Sequence, residues 1–350
     1  MSSPSGIRRP SVLNVCKDTI LPSICSCIPD RVFAALTAAN PLCAYYHIVS
    51  DEDVPHVRHL YRFRSVKEFT SDLDELCRRF RVISLHELLN HVRSARPVPR
   101  NSLLLTFDDG FREVIDVIAP ILRKKGAPAT FFIIADCLDN KGMAHHNRIS
   151  LLVEHLGRMK SRTLEKQVRE ILSGSSAGPE SLESLMVAID YRRRDLVDAI
   201  AELLNYDVDE YLSTRKPYLT SEQVRQLIGQ GFSIGGHSID HPRYSLLTLQ
   251  EQVRQTLQSV ESVRRQFALD YGAFAFPHGD DSVSDQFFEI LRADGRVDVT
   301  FGTAGIIKDR RARHFQRFST ENSGKPVDHV LAWYQARSLF KMLTAASTHP

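Results

Sequence analysis

The stretch "SLLLTFDDGF", Ser102 to Phe111, joins a run of apolar residues directly to two carboxylates. The apolar half predicts a buried β-strand, because short continuous apolar runs are typical of strands that are covered on both faces. Asp108 and Asp109 follow this strand at once. Adjacent carboxylates repel each other, and burying an unpaired one is costly. The sequence therefore predicts a positive charge close to this end of the strand.

The composition is typical of a soluble globular protein. The chain has 350 residues, of which 43% are hydrophobic and 25% are charged, so it can bury one large core or two modest ones. A net charge of +3 is too close to neutral to indicate a nucleic-acid partner. No apolar stretch approaches the length of a membrane span, so we expect none.

The N-terminal segment and the cysteines bear on the cellular location. Prolines interrupt the apolar part of residues 1–40, and no cleavage site typical of a signal peptide follows. Six cysteines form no CxxC pair, which favours reduced thiols: Cys16, Cys25, Cys27, Cys43, Cys77 and Cys137. We therefore expect a cytoplasmic protein, although the extension over residues 1–40 could contact a partner or a membrane surface.

Predicted strands and helices alternate over residues 41–140 and again over 217–320. The apolar run "ATFFIIAD", residues 129–136, predicts a strand, and "TSEQVRQLIGQG", residues 220–231, predicts a helix with a threonine cap and a glycine stop. Such alternation is typical of a parallel sheet, and about seven repeats favour a closed (β/α) barrel. A C-terminal helix is expected within residues 321–350.

Residues 141–216 interrupt the alternation and are mostly helical in pattern. We interpret them as an insertion in one βα loop, because such loops usually take only ~2–6 residues. One apolar stripe could pack onto the mouth of the barrel as a lid: Ile149, Leu152, Val153 and Leu156. That packing would bring residues 145–147, "HHN", near the pocket and within reach of substrate. The alternative is a helical appendage that packs sideways or makes a dimer contact.

A pair of histidines provides the expected positive charge indirectly. In "GGHSIDHP", His237 and His241 lie four residues apart just after a predicted strand, and two histidines at that spacing can face one metal ion. One aspartate of the pair would complete the ligand set, and the other would be free to act as a base. The charge of a bound metal makes two ionised carboxylates tolerable side by side.

A third segment, "FAFPHGD", Phe274 to Asp280, also ends a predicted strand. A turn fixed by proline can direct backbone N–H groups at a reacting oxygen. All three segments lie at the carboxyl ends of predicted strands, which share one face in a parallel barrel and form the active site there. The sequence therefore predicts a single site at that face.

The segments "TFDDG", "HSIDHP" and "FAFPHG" resemble the successive motifs of the polysaccharide deacetylase superfamily, carbohydrate esterase family 4. The resemblance covers about residues 40–140 and 217–320. It implies an α/β fold, a deformed (β/α) barrel of about seven parallel strands with the helical insertion in one βα loop. It also implies a divalent metal, usually zinc, and hydrolysis of the N-acetyl group of an amino sugar.

By the same resemblance, Asp108 is the catalytic base and the metal ligands are Asp109, His237 and His241. The turn that contains Pro277 and Gly279 resembles the segment whose backbone helps to hold the oxyanion.

The sequence departs from the family pattern at the general acid. Many members carry a Leu-x-His motif near the end of the barrel, and no clean match occurs here. His278 and His314 are the candidates for this role, and either could instead be structural. The arginine that often precedes the third-motif proline is also absent, and Arg317 is the candidate that would orient Asp108.

Other functions share the same motifs. An O-acetyl esterase or a sugar N-deformylase would use the same tetrahedral chemistry, and an absent general acid would favour the ester. A non-catalytic carbohydrate-binding protein is the alternative of a different class. A cytoplasmic enzyme would meet a nucleotide sugar, a lipid-linked intermediate or a small glycoside.

Overall fold

The computed structural model describes residues 33, 39–173, 181–321 and 323–346. Three of the cysteines discussed above, Cys16, Cys25 and Cys27, lie outside the described residues, as does nearly all of the predicted N-terminal extension. The free thiols of Cys43 and Cys137 are buried, and that of Cys77 is half-buried.

Within the described residues, nine short strands form one sheet in which every pair of neighbouring strands is parallel. The strands are β1 Leu42–Tyr46, β2 Arg81–Val82, β3 Ser102–Phe107, β4 Thr130–Ile133, β5 Ser233–Gly236, β6 Ala273–Ala275, β7 Val299–Gly302, β8 His314–Gln316 and β9 Phe318–Ser319. Their order is β8-β7-β6-β5-β4-β3-β1-β9, with β2 beside β3.

The sheet curls into a barrel because β8 and β9 join its two edges. β8 pairs with β7 and β9 pairs with β1, yet only Arg317 separates the two strands in the chain. The segment "HFQRFS", residues 314–319, is therefore one interrupted strand that contacts both edges. The predicted α/β barrel of about seven parallel strands is confirmed when β8 and β9 are counted as one and the short β2 is set aside.

Helices surround the sheet and connect most of its strands. The α-helices are α1 Val66–Arg79, α2 Leu85–Arg93, α3 Ala119–Lys125, α4 His145–Met159, α5 Arg162–Leu172, α6 Leu182–Val187, α7 Asp195–Leu203, α8 Val208–Arg215, α9 Ser221–Gly229, α10 Leu249–Phe267, α11 Asp285–Asp294 and α12 Val327–Ala346. None of these helices is long and apolar enough to cross a bilayer.

The helix that follows the two aspartates begins with a wider turn than a regular α-helix. Residues Val114–Ile118 are π-helical, and the N–H of Ala119 donates to the carbonyl of Val114. The reason is Pro120, which has no N–H to donate and so cannot continue a regular α-helical ladder from the preceding turn. The helix then runs as α3 and stops at Gly126, which is left-handed.

Side chains of β3 alternate between the two faces of the sheet. Leu103, Leu105 and Phe107 join the core under the surrounding helices, whereas Leu104 joins a second cluster. That second cluster contains residues from strands on opposite sides of the barrel, such as Phe132 of β4 and Phe301 of β7. It therefore fills the barrel interior. The same alternation places Asp108 on the interior side, directly beyond Leu104 and Thr106.

Helices α4 to α7 of the insertion form a hydrophobic core of their own. The apolar stripe predicted to cover the barrel mouth lies in this core, packed against α6 and α7: Ile149, Leu152, Val153 and Leu156. That part of the prediction is wrong, because the insertion helices bury their apolar faces against one another. α4 also makes polar contacts with the loop 54–59, which lies between β1 and α1. Asn147 Nδ2 donates to the carbonyl of His56 at 2.9 Å, and Ser150 Oγ donates to the carbonyl of Pro55 at 2.6 Å.

Candidate active site

A left-handed turn after β3 separates the two carboxylates. Asp109 and Gly110 have φ of 72° and 69°. Such a conformation is strained for a side chain other than glycine, so its presence at Asp109 indicates a functional constraint. Asp108 and Asp109 are 2% and 5% exposed. Because of the turn they contact different partners, Arg317 in one case and a pair of histidines in the other.

Arg317 supplies a positive charge at this strand end, where the sequence predicted the charge of a metal ion, and it orients Asp108 as expected. Its Nη1 and Nη2 atoms donate to the two oxygens of Asp108 at 2.7 and 2.8 Å. Nη1 also donates to Thr106 Oγ1, and Nε donates to the carbonyl of Gly302. Burial alone would raise the pKa of Asp108. The guanidinium of Arg317 outweighs this effect and brings the pKa below its ordinary value. Asp108 is therefore an ionised carboxylate held in one orientation.

Asp109 contacts the two histidines that follow β5. Its Oδ1 atom lies 3.4 Å from His237 Nε2 and 3.2 Å from His241 Nε2. One ligand atom from each of the three side chains lies within 4.8 Å of the others. The structure thus brings together all three residues predicted to bind the metal.

The donor set fits a divalent cation. His237 Nδ1 is 2.8 Å from the carbonyl of Ala275 and must carry the proton there, which leaves the Nε2 lone pair facing Asp109. Asp109 Oδ1 is buried and has no hydrogen-bond partner among the described residues. A buried carboxylate oxygen without a donor is costly, and a cation between the three groups would satisfy it. Two imidazoles and one carboxylate are typical of a metal site that keeps positions open for water and substrate.

His47, directly after β1, is a functional candidate that the sequence interpretation missed. Its Nδ1 atom lies 2.7 Å from Glu321 Oε2, and its backbone N–H donates to Glu321 Oε1 at 3.0 Å. Burial alone would lower the pKa of His47. The Glu321 carboxylate outweighs this effect and, with smaller contributions from Asp109 and Asp108, raises the pKa to about 9. His47 is therefore a protonated imidazole within electrostatic reach of both aspartates at neutral pH.

Tyr61 connects His47 to the metal-ligand group. Its ring centroid is 4.7 Å from that of His47, and its hydroxyl is 3.4 Å from Asp109 Oδ2. A signal for His47 was present in the sequence, because it is a polar residue at the carboxyl end of a strand, like the three segments that were recognised. β1 ends at Tyr46, so His47 is the first residue after the strand.

His278 lies at the rim of the site and belongs to a tight turn. The N–H of Gly279 donates to the carbonyl of Pro277 at 2.6 Å, and His278 between them has a φ of 59°. The His278 ring is exposed, 4.7 Å from the ring of His241. The N–H of Gly279 is thus engaged within the turn, and the proposed oxyanion role of this turn stays a prediction.

His314 lies deeper, inside a buried polar network. Its Nδ1 is 2.7 Å from Thr300 Oγ1, and its Nε2 is 2.9 Å from Asp280 Oδ2. Burial alone would raise the pKa of Asp280. Hydrogen bonds from His314 and Gln316 outweigh this effect and bring the pKa to about 2. Both ring nitrogens of His314 are engaged, so its contacts are those of a structural side chain.

The insertion reaches the site through the first turn of α4. The ring of His146 lies 4.5 Å from that of His278 and 5.7 Å from that of His241, measured between centroids. Residues 145–147 were predicted to lie near the pocket, and His146 is indeed at its rim. Asn147 points elsewhere and binds His56 and Tyr218.

Comparison with solved structures supports this fold. The chain resembles the Streptococcus pyogenes deacetylase PplD in complex with acetate, at 15% identity, a TM-score of 0.52, and coverage of 83% of this chain and 97% of that chain. It resembles IcaB from Ammonifex degensii at 18% identity, a TM-score of 0.51, and coverage of 84% and 96%. A de-N-acetylase from Aggregatibacter actinomycetemcomitans gives 16% identity, a TM-score of 0.50, and coverage of 81% and 95%. At such identities the likeness concerns the fold.

Sequence comparison identifies the family. No curated protein sequence matches the chain. The family model described as polysaccharide deacetylase matches residues 95–177 and 189–297, more than half of the chain. The match spans the aspartate pair, both histidines that face Asp109, and the Pro277 turn, all of which the barrel brings to one face. The resemblance found in the motifs is therefore confirmed, and the chain belongs to the polysaccharide deacetylase family.

Proposed function

We propose that the protein is a metal-dependent hydrolase that removes the N-acetyl group from an amino sugar or an amino-sugar-containing glycan intermediate. Membership of the deacetylase family supports carbohydrate deacetylation in general. The observation that carries the finer proposal is the position of Asp108. It is locked by Arg317, and its Oδ2 atom is 3.9 Å from Nε2 of His237, a residue of the Asp109 group.

Asp109, His237 and His241 would hold the metal, for which we propose zinc. A bound divalent cation polarises the acyl carbonyl and acidifies water. Asp108 accepts the proton of the attacking water, since it is ionised and has lone pairs beyond the two that Arg317 occupies. Arg317 keeps the carboxylate in a single orientation while this proton moves.

His47 is the proposed general acid. Its pKa, raised to about 9 by Glu321 against the effect of burial, keeps a proton available at neutral pH. Cleavage of an amide requires protonation of the leaving nitrogen, whereas an ester can lose its alkoxide more readily. A positioned acid therefore favours an N-acyl substrate over an O-acetyl ester. We do not assign the acid role to His314, because both of its ring nitrogens are engaged.

The location and the substrate extend the same proposal. We propose a cytoplasmic enzyme, in keeping with cysteines that form no CxxC pair. Substrates available there include nucleotide sugars, lipid-linked intermediates and small glycosides.

The test is a panel of N-acetylated sugars assayed for acetate release, with and without a chelator, and with O-acetylated and N-formylated counterparts. We expect acetate from at least one N-acetyl substrate, loss of activity with chelator, and recovery on adding zinc. Faster turnover of the O-acetyl counterpart would favour an esterase. Turnover that is indifferent to chelator would contradict metal dependence.

A further inference from the structure

Three histidines from separate segments meet at the mouth of the site. His146 belongs to α4 of the insertion, His241 to the loop after β5, and His278 to the turn after β6. The ring of His278 is 4.5 Å from that of His146 and 4.7 Å from that of His241. One ring nitrogen from each residue lies within 4.8 Å of the others, which is close enough for a single ion to touch all three.

The nitrogens around this group lack partners. Both ring nitrogens of His145 and Nδ1 of His146 are buried, with no hydrogen-bond partner among the described residues. His145 is 5% exposed, and its ring is 3.6 Å from that of His146. A buried polar atom without a partner is costly, and a cation bound by the His146 ring would reduce that cost.

A neutral imidazole has the free lone pair that zinc requires, and three of them can form an open zinc site.

We propose that His146, His241 and His278 form a second divalent-cation site, and that a zinc ion bound there inhibits the enzyme. The inhibitory part rests on the proposed function. Since His241 Nε2 faces Asp109, a second ion would have to bind His241 Nδ1, and the ring would lose its N–H proton to solvent when both ions are bound. The second site is therefore weaker than the first and fills only in excess zinc.

The second ion would act by joining the insertion to the barrel. His146 is carried by the insertion, and His278 is carried by the barrel turn that resembles the oxyanion segment. An ion held between them lies across the opening through which a sugar must approach. Inhibition by excess zinc follows from this position.

The experiment counts zinc on the full-length protein by titration calorimetry and elemental analysis. We expect wild type to bind one zinc tightly and one weakly, whereas His146→Ala and His278→Ala retain only the tight one. His155→Ala is the matched control, since His155 lies on α4 but its ring contacts Tyr206. This control variant should bind two. Retention of the tight zinc also reports that each variant is folded.

The second readout is the ratio of activity in excess zinc to activity at one equivalent, so that each variant is compared with itself. The ratio should fall well below one for wild type and His155→Ala. It should stay near one for His146→Ala and His278→Ala. The inference would be overturned if wild type bound a single zinc ion, or if His146→Ala and His278→Ala both bound two zinc ions. Because zinc is counted without substrate, a protein with two zinc ions and no deacetylase activity would contradict only the proposed function.

Discussion

Arg317 donates to both carboxylate oxygens of Asp108, at 2.7 and 2.8 Å, from the one residue that separates β8 from β9. The pair therefore couples closure of the barrel to the orientation of the proposed base. The guanidinium also lies 4.8 Å from the centre of the Tyr45 ring and 5.6 Å from that of Phe132, so it is packed as well as bonded. A side chain held from all sides in this way can position a reacting carboxylate closely.

Replacing Arg317 by lysine should lower kcat and leave the metal content unchanged. Lysine keeps the positive charge but cannot form the two parallel hydrogen bonds, so Asp108 is free to rotate. A small misplacement of a catalytic group can cost about 100-fold in rate, and we expect a loss of that order. Arg311→Lys is the control, because Arg311 binds Asp285 near the surface. Equal kcat for both variants would show that Arg317 does not position the base.

His47→Gln and His314→Gln should separate catalysis from stability. Loss of a general acid is worth ~100- to 10,000-fold in rate, so His47→Gln should be nearly inactive. His314→Gln should keep most activity but lose about 1–3 kcal/mol of unfolding free energy, since it disturbs the buried bonds to Asp280 and Thr300. Activity assays and denaturant melts measure the two effects. The reverse result would make His314 the acid.

Glu321→Gln should move the alkaline limb of the pH–rate profile to lower pH. In wild type, His47 is protonated below a pKa of about 9, so activity that needs this proton declines as the pH rises through that value. Glutamine removes the carboxylate that raises the pKa, while burial continues to lower it. A bound cation lowers the pKa in both proteins and leaves the direction of the difference unchanged. An alkaline limb at the same pH in both proteins would exclude His47.

Removal of residues 141–216 should leave a folded barrel. Asn140 and Tyr218 exchange two hydrogen bonds, of 2.9 and 3.0 Å, so the ends of the insertion are adjacent and a short linker can join them. The insertion also buries its apolar stripe within itself rather than against the barrel. We expect the shortened protein to keep one tightly bound metal and to show a changed KM or substrate preference, since His146 is lost from the rim. Unchanged constants would mean that the insertion does not contact substrate.

The sequence allowed the barrel to be predicted because apolar strands and capped helices alternate regularly. Thr220, predicted as an N-cap, forms a capping box with Gln223. The position of Asp108, Asp109, His237 and His241 after predicted strands identified them as parts of one site, since parallel strands end on one face. These signals are local in sequence and can be recognised without knowledge of tertiary contacts.

What the sequence could not provide were contacts between distant segments. His47 and Glu321 are separated by most of the chain, and only closure of the barrel by β8 and β9 brings them together. The direction of the stripe on α4 was equally hidden, because periodicity identifies an apolar face but not the surface that covers it. Arg317 could be named as a candidate, but its two bonds to Asp108 depend on the same closure.

Acetate release by Asp108→Asn, measured beside wild type at equal metal content, is the sharpest test of the proposed chemistry. Asparagine has nearly the same shape and can still accept a hydrogen bond from Arg317, but it cannot take a proton from water. We expect the variant to bind metal at wild-type stoichiometry and to lose ~100- to 10,000-fold of its activity. A fully metallated variant within a few-fold of wild type would contradict a base role for Asp108.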